Sequence, residues 1–352
     1  MHKARVRTES MVQRFAKKPI SEGFDLWDRG YLFGALRLFM FKAESGPPFQ
    51  LAPCIDAIAE LSLQLGAADE AQEQFLLATD KYRILQQPGL AELMRVRLDE
   101  LLAGTSVALS HLEAYLNEQD LTQGGKGGDL KTRAALARAC AYLAELYLAN
   151  ADDDDDDEGK RSKDAEVAKR AVEFASLAVS LGWDRVHLGY FTLGKAYEML
   201  EELEKARDAY LQAIKHCPIF LNGLEYLIDV LRKLEVPSKE LLPYMDQAID
   251  AHPRAHLLRE KAFILSEVEG DDAALAYLET LIASPPLEEM ECVSSDNSGP
   301  TVATLLKAKA AILADGGRFP EALAAAEEAV KACTKDKEAE MIVADIKEAM
   351  KG

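Results

Sequence analysis

Residues 187–218, HLGYFTLGKAYEMLEELEKARDAYLQAIKHCP, read as two short helices and a turn. Tyr190, Leu193, Gly194 and Tyr197 fall at the i, i+3, i+4, i+7 spacing of one helical face. Ala206, Tyr210, Ala213 and Ile214 mark the face of the second helix, and Pro218 closes it because proline cannot continue a helix. The small residues Gly194, Ala206 and Ala213 let two backbones approach closely, while the three tyrosines fill the wedge between this pair and its neighbours. Such a unit cannot bury its apolar faces alone, so the stretch predicts stacking of further copies.

The test is the spacing from Gly194 to Ala206, Tyr210 and Ala213, offsets of 12, 16 and 19 residues. Gly23, Ala35 and Phe39 keep the first two, with Lys42 at the third, and predict a degenerate first repeat over 19–44 that acts as a cap. Ala59, Ala71, Phe75 and Ala78 keep all three within 52–82. Val96, Ala108, Leu112 and Tyr115 keep them with cruder residues after the break at Gln87-Pro88-Gly89. A helix over 130–150 and the residues Ala171, Ala175 and Ala178 give a fourth pair, and Leu227, Met245 and Ala248 a sixth with one extra residue near Val236. Ala262, Ala274, Leu278 and Leu281 follow, then Ala310, Ala322, Ala326 and Ala329, and residues 335–351 read as a polar closing helix.

Filled by Tyr190, Leu193-Gly194, Tyr197, Ala206, Tyr210, Ala213 and Pro218, the pattern resembles the tetratricopeptide repeat. The resemblance covers 19–351 in about eight helix pairs. It is strong at 187–218, 255–286 and 303–334. It implies an all-α, right-handed α-solenoid of stacked antiparallel helix pairs whose concave face binds a peptide or protein. The expected function is a non-enzymatic protein–protein interaction scaffold. The alternative is a structural subunit held permanently in a large multiprotein assembly.

Composition sets limits on this reading. Alanine-rich, with 7% aromatic residues, the chain suits helix-on-helix packing. A net charge of -19 argues against nucleic acid as partner, since phosphate binding needs a basic footprint. No apolar run approaches the ~18 residues of a membrane span. The expected compartment is the cytoplasm, with the mitochondrion as a minor alternative raised by residues 1–18. That segment carries +5 against -24 for the remainder, and reads as a basic docking arm, a transit peptide or a free tail. Residues 118–129, with Gly124-Gly125-Lys126-Gly127-Gly128, and 284–301 are expected to be flexible loops; the glycine run lacks the GK[ST] ending of a phosphate loop. Residues 151–163 hold six aspartates and are expected to form a disordered acidic loop, because such a block repels itself and cannot be buried; calcium is not expected, since the order of ligands, turn glycine and closing glutamate of a calcium loop is missing.

Little chemistry is legible. The five cysteines, Cys54, Cys140, Cys217, Cys292 and Cys333, form no CxxC, which points to unpaired thiols and to neither a zinc nor a redox motif. His252 and His256 share a helical metal spacing, but Pro253 lies between them. No nucleophile or metalloprotease motif is present, and neither cofactor nor catalytic residue is expected. The resemblance places on the concave face the first-helix residues Phe191, Lys195, Asn222, Tyr226, Arg259, Phe263 and Lys307, with Leu188, Asp229, His256 and Thr304 beside them. A generic solvated face is the plainer alternative. Relatives that clamp the C-terminal carboxylate of heat-shock chaperones use basic and amide residues where Asp56 and Glu60 stand here, so that partner is not expected.

Overall fold

The small-residue register decides how the helices meet. The structure, a computed structural model, describes residues 18–119, 129–151, 158–286, 301–333 and 336–351. Every ordered element in them is helical, and the chain divides into two compact units, Met1–Val230 and Leu231–Gly352. The basic arm, except Lys18, the glycine run and the aspartates lie outside the described residues.

The first unit holds five antiparallel pairs: α1 (Ile20–Asp28) with α2 (Leu32–Ser45), α3 (Pro48–Gln64) with α4 (Ala68–Ile84), α5 (Pro88–Ala103) with α6 (Thr105–Glu118), α7 (Leu130–Ala149) with α8 (Glu158–Leu181), and α9 (Val186–Met199) with α10 (Leu203–His216). Helix α11 (Leu221–Lys233) follows. The second unit continues with α12 (Ser238–Ala251), α13 (Ala255–Glu269) paired with α14 (Asp271–Ala283), α15 (Thr301–Asp315) paired with α16 (Phe319–Ala332), and α17 (Lys337–Ala349). Helix α8 starts at Glu158.

Within a unit, successive first helices also touch: α5 meets α7, α7 meets α9, and α13 meets α15. That leaves second helices on the outer layer and gives each unit the layering of an α-solenoid. The offsets explain the closeness. Ala59, Ala71, Phe75 and Ala78 are fully buried, as are Ala206, Tyr210 and Ala213 and, in the second unit, Ala262, Ala274 and Leu278. Gly194 faces the ring of Tyr210, where an added Cβ would lie 2.7 Å from Cδ1; Gly23 stands in the same relation to Phe39, 2.7 Å from Cζ. A methyl group at either place collides, so the smallest residue is required there.

Turns inside the pairs use a left-handed residue, Gly66 at φ 80° and Gly317 at φ 74° among them, but Glu201 (φ 58°) in the fifth pair; Glu235 (φ 55°), after α11, is left-handed too. Prolines open α3 and α5 at the position where a missing N–H costs nothing. Side-chain caps hold the starts of α7 and α17: Asp129 accepts from Thr132 N at 2.7 Å, and Asp336 accepts from the amides of Glu338 and Ala339 at 3.1 and 3.2 Å.

Candidate functional site

First helices of the third, fourth and fifth pairs wall an open cavity of about 340 Å³ in the first unit. Arg97 and Glu100 come from α5, Tyr142 and Glu145 from α7, and Phe191, Thr192, Lys195 and Met199 from α9. The helical period puts 191, 195 and 199 in one stripe and 142, 145 and 149 in the facing one.

Much of the charge in this wall is already neutralised. Arg97 holds Glu60 of α3 through Nε–Oε1 at 2.8 Å and through a second, shorter contact, reaches Glu100 at 3.1 Å, and lies 4.3 Å from the Tyr142 ring centroid. Arg138 forks onto Asp56, with Nη2–Oδ1 at 2.8 Å, and Tyr82 donates to Asp56 Oδ2 at 2.8 Å. Asp56 is buried, so three donors on one carboxylate replace the water it loses. Thus Asp56 and Glu60 are structural ties between α3 and the next two first helices.

Lys195 is different. Among the described residues it makes no hydrogen bond or close ion pair, and its field reaches Glu145, an exposed carboxylate that accepts from Thr192 Oγ1 at 3.3 Å. The crowding walls raise the Glu145 carboxyl above its ordinary value, against the lowering pull of Arg97 and Lys195. Beside them Phe191 packs edge-on to Tyr226 at 5.0 Å and to Phe220 at 5.2 Å, and Tyr226 remains 39% exposed. Asn222, one turn earlier on α11, is exposed. The structure therefore brings Phe191, Lys195 and Tyr226 together in the first unit.

In the second unit Arg259 is half-buried on α13, and Phe263 packs against that unit's core. Lys307 does not stand on an open face: it is 8% exposed, with its ammonium 2.8 Å from Asp336 and in contact with Glu338. Helix α17 covers it. Burial alone would lower the Lys307 ammonium, but those carboxylates hold it above its ordinary value. Thr304, one turn before, is buried as well.

A second cluster lies at the other edge of the first unit. Asp28 ends α1, His187 opens α9 and Cys217 follows α10, and Asp28 and His187 are buried. His187 Nε2 is 3.4 Å from Asp28 Oδ1 and Cys217 Sγ 3.6 Å from Oδ2. Arg185 also binds Oδ1, with its guanidinium stacked 4.8 Å from the Trp27 ring and 5.2 Å from Phe24. Burial would raise the Asp28 carboxyl, yet His187 and Arg185 outweigh it and keep it below the usual value. Burial, aided by the Asp28 charge, pushes the Cys217 thiol up to about 12.

No helix of the described residues is long and apolar enough to cross a membrane. No protein-family model matches the chain, and no curated protein matches it. Among solved structures it is similar to YrrB, a TPR protein described as having an unusual peptide-binding site (20% identity, TM-score 0.38, covering 61% of this chain and 99% of that one). It is similar to a chain of the APC/C hetero-tetramer Cut9–Hcn1 (13% identity, TM-score 0.46, covering 92% of this chain), of which it spans 54%. A third is TTC0263 from Thermus thermophilus, a thermophilic TPR protein (15% identity, TM-score 0.34, covering 58% of this chain and 98% of that one). By its own buried register and the pairing of its helices, each unit of the chain has the fold of a tetratricopeptide-type α-solenoid.

Proposed function

We propose that the chain is a non-enzymatic protein–protein interaction scaffold that takes a partner segment in the groove of its first unit. The observation that carries this is Lys195, an uncommitted cation in a cavity whose other cation, Arg97, is already bound by Glu60. Phe191, Tyr226, Tyr142 and Met199 add apolar and aromatic area around it. A segment that pairs an acidic side chain with an apolar one complements this wall, its carboxylate on Lys195 and its apolar group against Phe191 and Tyr226. Glu100 and Glu145 disfavour a second acidic residue beside the first. Arg259 belongs to the second unit and would extend recognition there.

The test is a pull-down with mass spectrometry, followed by affinity measurement of Lys195→Glu and Tyr226→Ala against the partner that co-purifies. A loss of about tenfold or more in each is expected, equal to about 1.4 kcal/mol. Unchanged affinity with the helical content intact would move recognition away from this groove.

A permanent place in a larger assembly is the second reading, and exposed apolar side chains on α3 to α5 favour it: Phe49 is 68% and Ile84 73% exposed, with Leu76 and Leu102 also open. A permanent subunit co-purifies at fixed stoichiometry through a rising salt series, whereas a groove-bound segment is shed.

A further inference from the structure

Asp28, His187 and Cys217 bring one oxygen-bearing, one nitrogen and one sulfur donor side chain together, with the donor atoms all within 4.8 Å of one another. They come from three elements whose closest positions in sequence are 30 residues apart and whose farthest are 189 apart. Tetrahedral zinc, with bonds of about 2.0–2.2 Å to nitrogen or oxygen and about 2.3 Å to sulfur, sets neighbouring N and O ligands about 3.4 Å apart and S and O about 3.6 Å apart. The observed separations are 3.4 Å from His187 Nε2 to Asp28 and 3.6 Å from Cys217 Sγ to Asp28. We infer that Asp28, His187 and Cys217 form a binding site for a zinc-class divalent ion, tying the end of α1 to the start of α9 and the end of α10.

Its surroundings fit that assignment. The donors mix imidazole, thiolate and carboxylate, the set zinc favours over hard cations such as magnesium or calcium. Histidine faces Oδ1 and cysteine Oδ2, so the ion is reached by the carboxylate's two oxygens together or after a small turn of that group. Arg185 then retains an Asp28 oxygen from the side, an outer partner that fixes the orientation of a ligating carboxylate. Its guanidinium itself lies over the rings of Trp27 and Phe24, and Phe220 packs edge-to-face with His187 at 5.0 Å. With Asp28 bound through one oxygen, the three protein ligands leave one position, which a water fills. In the metal-free protein Asp28 is ion-paired with Arg185, and the Cys217 thiol donates to its Oδ2.

The experiment uses the full chain, purified with reductant, stripped with a chelator and titrated with cobalt(II) and zinc(II). Cobalt is expected to give visible bands of a tetrahedral centre with a near-ultraviolet thiolate charge-transfer band at one equivalent. Zinc should displace it. Cys217→Ser should remove the charge-transfer band, and His187→Gln should weaken binding at least tenfold, while the same changes at Cys54 and His256 leave both alone. Absence of the band in the wild type, or its survival in Cys217→Ser, overturns the site. Should the variants fail to fold, the wild type decides: zinc is expected to slow alkylation of Cys217, read by peptide mass, and an unchanged rate rejects the proposal.

Discussion

Gly194 lies directly beneath the aromatic ring of Tyr210, leaving no room for even one methyl group between α9 and α10. Tyr210 is fully buried, and its hydroxyl donates to Glu198 Oε1 at 2.6 Å. Gly194→Ala should therefore cost about 1–3 kcal/mol by overpacking, and Tyr210→Ala about 3–5 kcal/mol by opening a cavity. Tyr210→Phe keeps the packing and should cost about 1 kcal/mol, the value of one hydrogen bond. Urea denaturation gives all three, and a Gly194→Ala midpoint equal to wild type would show that the helices do not meet this closely.

Arg97 is the counter-charge for Glu60, whose side chain is 13% exposed. Arg97→Ala strands that carboxylate between α3 and α5 and also removes the stacking on Tyr142, a loss expected near ~3 kcal/mol. Pairing it with Glu60→Gln should recover part of the loss. A double-mutant cycle with no coupling between the two positions would refute the tie.

Lys307 and Asp336 couple the closure of α17 to pH. Burial tends to raise the Asp336 carboxyl, but the hydrogen bonds from Lys307 and from the amides of Ala339 and Glu338 hold it below the ordinary 3.8. A depressed folded value means that the stabilisation is fully present above 3.8 and is lost as the pH falls through the folded value. Lys307, raised above 10.5, contributes fully below 10.5 and loses its contribution as the pH rises through the folded value. Between these limits the closure of α17 is expected to be constant. Hydrogen exchange of α17 amides, corrected for intrinsic rates, should show protection falling in acid, and Asp336→Asn should already be less protected at neutral pH. Equal protection in the variant would sink this assignment.

Glu201 and Glu235 have left-handed backbones, a conformation that glycine supplies at Gly66 and Gly317. Glu201→Gly and Glu235→Gly should each stabilise by about 0.5–1 kcal/mol, relief of the Cβ strain outweighing the added freedom of glycine in the unfolded chain. Thermal midpoints that fall in both variants would mean that side-chain contacts of the glutamates matter more than the backbone.

The register was legible because a period of small residues leaves the same trace wherever two helices cross closely: Ala59, Gly194 and Ala262 are read from spacing and are buried in the structure. The cavity wall of the first unit was only half legible. The residue after the small one is Glu60 in the second pair, Arg97 in the third, Lys195 in the fifth and Phe263 in the seventh, so the register also points to Arg97. The cruder residues of the third pair weaken that pointer. Spacing leaves Lys307 open because it describes a helix and its own pair, while α17, which covers Lys307, is placed by tertiary packing of Ala339 and Ile346. The meeting of Asp28 with His187 and Cys217 left no local trace at all, since no short-range pattern links residues so far apart.

That meeting changes how the first unit should come apart. Stacked repeats whose contacts are all between neighbours melt like a zipper, fraying from an end with little penalty for each unit lost. Asp28 and Arg185 are 157 residues apart in sequence, so fraying of α1 and α2 also breaks a contact with the fifth pair. The terminal repeat is thereby no longer the weakest point by position alone, and the five pairs acquire a high-contact-order latch whose closure is slow and late in folding. Shortening the chain from its amino end should consequently loosen α9 and α10 as well as the pair removed, a long-range cooperativity that nearest-neighbour stacking lacks.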